Sequence, residues 1–429
     1  MSSVRDCGNG MTRTFVIVGG SIAGLSAAEK LRELTDERIV VVERDPMAAY
    51  DKTALSKDML IADEVPDILL RPVRHLDELQ IEVRRGVAAV GLDAARQVVR
   101  LSDGSSLCYD RLLIATGARP VAPFPHEEDA RIHVVRTHDD AVGLRAELRG
   151  AGRAVVIGAG LVGCEVASAA RHLGVETDIV DITRGPFRRA LGDALSRYIE
   201  EIQIDAGVAT YYGRGVAHVR RASGDHRFDV ELSTGEILAA DVVVAGTGVR
   251  PETGWLDGSS IDVGHGVVCD SRLRTSLSDV FGAGDVASRP GGPGGELIRL
   301  EHWANAAEQG AAAAISMASE EPNGDEWTPG MPHFMTTIHS HRLAVLGHTH
   351  GGDVDDPTIR VAVGPNGRGL IALYGDAGQL VGCATIDQPK IAVRLSGLFA
   401  QEGSWSASLA MLDKTLASTS YTSLERTSQ

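Results

Sequence analysis

Two short glycine runs carry the chemistry most visible in this sequence. The clearer one, Gly158-Ala159-Gly160-Leu161-Val162-Gly163, follows the apolar run Ala154–Ile157 and opens a helical pattern, and the next apolar run, Thr177–Val180, ends in Asp181. In a strand–turn–helix–strand unit, Gly158 makes the tight turn, Gly160 lets the backbone approach a pyrophosphate, and Gly163 lets the helix pack close to the strand. The helix N-terminus at Leu161 and Val162 offers unpaired N–H groups and the positive end of a dipole to phosphate. Asp181 falls where a carboxylate accepts hydrogen bonds from ribose hydroxyls. The same order appears earlier: the apolar run Thr14–Gly19, then Gly19-Gly20-Ser21-Ile22-Ala23-Gly24, a helical pattern through Leu31, and the run Ile39–Val42 ending in Glu43. Here Ser21 stands where the second glycine is usual. Serine is small enough for close backbone approach, and its hydroxyl can donate to a phosphate. Two such units in one chain describe two dinucleotide sites.

Positioning those sites requires two doubly wound domains. The expected fold class is α/β: two Rossmann-like dinucleotide-binding domains plus a smaller α+β C-terminal domain. The expected boundaries are 13–120 with 246–327 for the first, 121–245 for the second and 328–413 for the third, with 1–12 and 414–429 as flexible tails. Between the units, Leu101–Tyr109 reads as a hairpin around Asp103-Gly104, followed by the strand Arg111–Ala115 and the turn Thr116-Gly117. Asp241–Ala245 is a further strand, ending in Gly246-Thr247-Gly248. Ser288–Glu296 reads as a loop, and Asn305–Met317 as an alanine-rich helix. Four short strands follow (Leu343–Gly347, Ile359–Val363, Leu370–Tyr374 and Leu380–Ala384), then an apolar helix around Ile391–Leu398.

Composition narrows the class. A net charge of −16 argues against a nucleic-acid surface, because phosphate binding draws on lysine and arginine. No apolar run reaches the ~18–20 residues of a membrane span, and Met1–Thr12 lacks the apolar centre of a secretory signal. Met11 is a possible alternative start. The five cysteines (Cys7, Cys108, Cys164, Cys269 and Cys383) are scattered, which fits thiols in a reducing cytoplasm and excludes a redox-active disulfide of short spacing.

Further segments extend the pattern: Leu55-Ser56-Lys57 after Tyr50-Asp51, Tyr109-Asp110-Arg111 before Ala115-Thr116-Gly117, Arg136-Thr137 before Asp139-Asp140-Ala141, and Gly163-Cys164-Glu165-Val166-Ala167. Later come Gly248-Val249-Arg250-Pro251, Phe281-Gly282-Ala283-Gly284-Asp285-Val286-Ala287 and Glu301-His302-Trp303-Ala304-Asn305-Ala306. In these residues and their order the chain resembles the FAD-dependent NAD(P)H:ferredoxin reductases that serve bacterial oxygenases, which are related to apoptosis-inducing factor. The resemblance implies FAD at the first glycine run, with contacts from Gly19, Ser21, Ala23, Gly24, Glu43, Arg44, Ala89, Ala115, Thr116, Gly117, Arg136, Gly284, Asp285 and Trp303. It implies the nicotinamide cofactor at Gly158, Gly160, Leu161, Val162, Gly163, Asp181 and Gly248. It also implies that Asp285 accepts hydrogen bonds from the ribityl chain, and that Lys57 and Glu165 pair beside the flavin N5 edge. A lysine there stabilises the negative charge of the reduced ring. Read without the resemblance, Lys57 is an ordinary surface lysine, Trp303 a core or interface residue, and Glu165 a helix cap or surface charge.

Asp181 favours NADH over NADPH, since a carboxylate repels a 2′-phosphate; Arg184, Arg188 and Arg189 nearby are the counterweight. The resemblance implies a ferredoxin-type iron–sulfur partner; the overall acidity opposes an acidic partner, but the local arginines Arg71, Arg74, Arg84 and Arg85 could provide a docking patch, and a monomer or homodimer is expected. Two stretches depart from the family. Lys52-Thr53-Ala54 replaces a usual Arg-Pro-Pro, and Met335 and Thr337 replace a tryptophan and an aspartate on the electron-exit side. That second departure keeps two alternatives open, a self-contained flavoenzyme acting on a quinone or other small molecule and an NADH-responsive redox sensor. His339, His341, His348 and His350 form two H-x-H pairs that could converge on a metal, but without thiolate or carboxylate company the expectation is no metal.

Overall fold

The structure is a computed structural model, and it describes residues 5–6, 12–128, 130–291, 296–319, 327–328, 330–349, 359–363, 369–399, 404–419 and 422–423. The chain divides into two compact units. One comprises Met1–Lys52, Asp67–Arg119 and Val249–Pro332; the other comprises Thr53–Pro66, Pro120–Gly248 and His333–Gln429.

The first unit is built on a five-stranded parallel sheet in the order Val280–Gly282, Arg111–Ile114, Thr14–Val18, Arg38–Glu43, Glu82–Arg85. Its central strand is buried at every position, as the unbroken apolar run requires when both sheet faces are covered. One face packs on the helices Ile22–Leu34 and Trp303–Ala318 through Leu25, Ala28, Leu31, Ala313 and Met317. Alanine and glycine allow these two helices to approach closely: a Cβ on Gly310 would lie 2.1 Å from the Ala23 carbonyl oxygen. The expected hairpin is present as Val98–Leu101 and Ser106–Cys108.

The second unit holds the matching sheet, again all parallel, in the order Ile132–His133, Val242–Ala245, Arg153–Ile157, Glu176–Asp181, Val208–Tyr212. It also holds an antiparallel six-stranded sheet in the order His333–Ile338, His341–Gly347, Gln379–Ile386, Leu370–Asp376, Ile359–Val363, Thr422–Ser423. The helix Pro389–Phe399 packs on this sheet through Ile391 and Leu395.

Several expectations are corrected. Residues 414–419 are not a flexible tail but the end of the helix Trp405–Thr419, whose Leu412 is buried in the C-terminal core. At the other end, Arg5–Asp6 adds a parallel edge strand to Ser106–Cys108. The stretch from Ser288 begins as strand, not loop, with Ala287–Pro290 pairing antiparallel with Leu297–Ile298. Cys108 is disulfide-bonded, so the expectation of thiols throughout fails there.

The histidine pairs do not converge among the described residues. His339 and Ser340 form a tight turn with φ of 46° and 71°, as a two-residue hairpin demands. The His339 ring lies 2.7 Å from Gln203 Oε1, whereas His341 Nδ1 meets Asp387. His350 lies outside the described residues, and no group of three metal-ligating side chains occurs among those described.

Candidate active site

The two glycine runs fold into nearly superimposable cradles. Gly19 and Gly158 adopt φ of 107° and 102°, a region that favours glycine. Each is also sealed by backbone: a Cβ on Gly19 would lie 2.1 Å from the Ala115 carbonyl oxygen, and one on Gly158 would lie 2.4 Å from that of Gly246. The third glycines are equally constrained, since a Cβ on Gly24 or on Gly163 would lie 1.8 Å from the carbonyl oxygen of Gly19 or Gly158 respectively. The middle positions differ in residue but not in conformation: Ser21 has φ −76° and ψ −166°, and Gly160 has φ −81° and ψ −166°. Serine fits because φ is negative there. No side chain caps either helix, leaving both N-termini open to an anion, and a Cβ at Gly160 would meet nothing within 4 Å.

Behind each cradle stands the acid that ends the next strand. Glu43 Oε2 accepts the Gly20 N–H at 2.5 Å and its Oε1 accepts the Asp45 N–H at 2.8 Å. Asp181 Oδ2 accepts the Ala159 N–H at 2.6 Å, and its Oδ1 accepts the Thr183 N–H and hydroxyl at 2.6 and 2.7 Å. The turns after the neighbouring strands are duplicated too. Thr116 donates to the Glu252 carbonyl at 2.7 Å and Thr247 to that of Val121, with Gly117 and Gly248 both at positive φ. These donor and acceptor sets fit two dinucleotides: open helix N-termini for two pyrophosphates, and a carboxylate for each ribose.

Around the first cradle, Gly284 donates its N–H to the buried Gln309 Oε1 at 2.8 Å and packs against Ala23. This fixes the turn that carries Asp285, whose carbonyl accepts from Arg299. Arg44 lies 3.5 Å from Glu252 Oε2, Ala89 opens the strand Ala89–Asp93, and Trp303, first residue of its helix, is 44% exposed. In the second unit, Arg136 directly precedes Thr137, which caps the helix His138–Leu148 in a capping box with Asp140. Near the second cradle, Arg188 is held by Asp193, whose carboxyl that guanidinium keeps below its ordinary range. Of the three arginines that could have received a 2′-phosphate, one is therefore already neutralised.

The second unit also brings Lys57 and Glu165 together across the sequence. Glu165 lies at the start of the second turn of the helix Leu161–His172 and is 3% exposed. Its Oε1 is 3.1 Å from Lys57 Nζ, a pairing that an almost fully buried carboxylate requires. Lys57 remains 28% exposed and also donates to the Thr53 carbonyl at 3.2 Å. Sequence reasoning missed the other partners of the acid: Ser56 donates to Oε2 and Thr336 to Oε1. It also missed Gln309, Glu252 and Thr183. Thr336 lies on the buried side of its strand, whereas Met335 and Thr337 lie on the exposed side. Met335 and Thr337 therefore lie on the opposite side of the strand from the hydroxyl that meets the acid, whereas the other departing stretch reaches the pair through the Thr53 carbonyl.

The free cysteines Cys164, Cys269 and Cys383 are buried, and burial pushes their thiols up, the last two to about 12. None of these three is poised as a thiolate.

The family model described as pyridine nucleotide-disulphide oxidoreductase matches residues 13–310, and the chain belongs to that family. It is 32% identical over 379 residues to the anthranilate 1,2-dioxygenase system ferredoxin–NAD(+) reductase component of Burkholderia cepacia, covering 87% of this chain and 90% of that one. It is 30% identical over 383 residues to rhodocoxin reductase of Rhodococcus erythropolis, covering 88% and 87%. Among solved structures, a ferredoxin reductase of Rhodopseudomonas palustris superimposes with a TM-score of 0.84 at 28% identity, covering 92% of this chain and 96% of that one. The chain is accordingly an oxidoreductase that uses FAD and NAD(H). No helix among the described residues is long and apolar enough to cross a membrane.

Proposed function

We propose that this protein takes hydride from NADH and passes electrons one at a time to a ferredoxin-type iron–sulfur protein that serves a monooxygenase or dioxygenase. FAD, when bound, accepts electrons in pairs and releases them singly. The observation that carries the reading is the duplicated cradle, one copy for each cofactor, in a chain with no closely spaced cysteine pair to act as a relay. The likeness to ferredoxin–NAD(+) reductase components supports the acceptor.

In this reading residues 13–120 and 246–327 hold FAD, 121–245 hold the nicotinamide cofactor, and 328–413 form the third domain. Gly19 to Gly24 and Glu43 receive the FAD pyrophosphate and ribose, with Arg44, Ala89, Thr116, Arg136, Asp285 and Trp303 completing the site. Gly158 to Gly163 and Asp181 do the same for NADH. Lys57, oriented by Glu165, supplies the cation that stabilises charge on the reduced flavin. The arginine patch is smaller than the sequence suggested, because Arg71 pairs with Glu29 and Arg84 with Glu82. Docking of an acidic ferredoxin then rests more on Arg74 and Arg85.

The test is reduction of the purified yellow protein by NADH, followed by reoxidation with a panel of ferredoxins, quinones and oxygen. Rapid turnover with a ferredoxin supports the reading. Rapid turnover with quinone alone replaces the acceptor, and slow reoxidation by all three replaces the enzyme with a sensor.

A further inference from the structure

We infer that Thr336 and Ser56 are positioning residues for hydride delivery: their two hydroxyls lock the Glu165 carboxylate so that Lys57 is held in one orientation. The inference rests on the reading of Lys57 as the cation at the flavin. It goes further by assigning a part of that machinery to the C-terminal sheet.

The geometry is a closed shell around one acid. Glu165 Oε1 receives the Thr336 hydroxyl and faces the Lys57 ammonium, while Oε2 receives the Ser56 hydroxyl. Thr336 and Ser56 are each 4% exposed, so water does not readily replace either donor. A buried carboxylate with one partly exposed lysine partner is poorly compensated; two further donors satisfy the lone pairs that the lysine leaves. The three partners come from two separate parts of the chain. Ser56 and Lys57 are adjacent, but Thr336 is 171 residues from Glu165. Thr336 is held in turn by its strand, which pairs residue for residue with His341–Gly347 through Thr336 opposite Leu343. The turn of that hairpin is pinned to the helix that carries Glu165, because the His339 N–H donates to Ser168 Oγ at 2.9 Å. The hairpin and the coenzyme helix thus meet at two points, one of them the acid itself.

Removing the Thr336 hydroxyl while keeping its shape leaves Oε1 with the lysine alone. The carboxylate is then less well held, and Lys57 gains freedom to leave its orientation. The test uses the FAD-loaded full-length chain in four forms: wild type, Thr336→Val, Thr336→Ser and Ser56→Ala. Flavin content and the far-ultraviolet circular dichroism establish folding for each. Anaerobic stopped-flow then measures flavin reduction by NADH against pH, and a spectroelectrochemical titration measures the flavin midpoint potential. Thr336→Val is expected to slow flavin reduction by about tenfold and to alter its pH profile. Its KM for NADH stays near wild type and its flavin potential becomes more negative. Thr336→Ser, which keeps the donor, restores all three; Ser56→Ala behaves like Thr336→Val with a smaller change. A folded, yellow Thr336→Val protein with the wild-type pH profile and potential overturns the inference. A wild-type flavin that NADH does not reduce overturns the underlying reading instead.

Discussion

The two cradles share a backbone and differ in their side chains. Turn dihedrals, sealing carbonyls and third-glycine contacts agree between Gly19–Gly24 and Gly158–Gly163 to within a few tenths of an ångström and a few degrees. What differs is Gly20-Ser21-Ile22-Ala23 against Ala159-Gly160-Leu161-Val162, and Glu43 against Asp181. The shared part is dictated by the need to bring a helix N-terminus onto a diphosphate, which backbone alone accomplishes. The cradle itself is therefore generic.

The largest effects should come from breaking one cradle and leaving the other. Gly24→Ala places a methyl group 1.8 Å from a carbonyl oxygen, at least the ~1–3 kcal/mol of ordinary overpacking. It should give a colourless or unfolded protein, measured as flavin absorbance per chain. Gly163→Ala makes the same clash in the second cradle. It should leave a yellow protein whose reduction by NADH falls by about a hundredfold or more, a loss of about 2.7 kcal/mol or more in transition-state stabilisation. If both variants lose flavin equally, the assignment of one cofactor to each cradle is broken.

A smaller effect follows from the acids. Asp181→Ala removes the carboxylate that accepts from Ala159 and Thr183. The ratio of kcat/KM for NADH to that for NADPH should fall by about tenfold, with Arg184 and Arg189 then less opposed; an unchanged ratio would place discrimination elsewhere.

The turn of the C-terminal hairpin also carries a titratable group. His339 bonds Gln203 and Ser168, and burial together with Arg171 pushes its imidazole down to about 4. Unfolded, that ring takes up a proton near pH 6.5; folded, it does so only near about 4. Its contribution to stability is therefore full above pH 6.5 and is lost as pH falls from there towards about 4. His339→Gln should flatten the pH dependence of the melting temperature over that window, and a parallel slope in the variant would contradict it. The smallest effect is expected of Ser21→Gly. Since Ser21 already has the dihedrals of Gly160, flavin affinity should change by less than about threefold, under ~0.7 kcal/mol.

Most of the cradle was legible in the sequence because its determinants are local. Glycine spacing, apolar strands and a terminal acid all fall within about 30 residues, the span of one βαβ unit. The hydroxyls on Glu165 were not legible, because Ser56 and Thr336 lie 109 and 171 residues from it. Nothing in a threonine's neighbours marks it as a buried donor. The same holds for Gln309, which looks like one more polar residue in an alanine-rich helix until the Gly284 N–H is seen to need it. At the C-terminus the Ser/Thr-rich composition misled, because Trp405 to Leu412 supplies enough apolar surface to dock a helix that then runs on to Thr419.

The account stands most directly on an anaerobic titration of the purified, FAD-loaded chain with NADH. One equivalent of NADH per flavin should bleach the yellow colour completely in the wild type, and Gly163→Ala should retain its flavin but bleach only slowly. A flavin that NADH leaves oxidised, or a Gly163→Ala protein reduced as fast as wild type, would contradict the assignment of the two cradles.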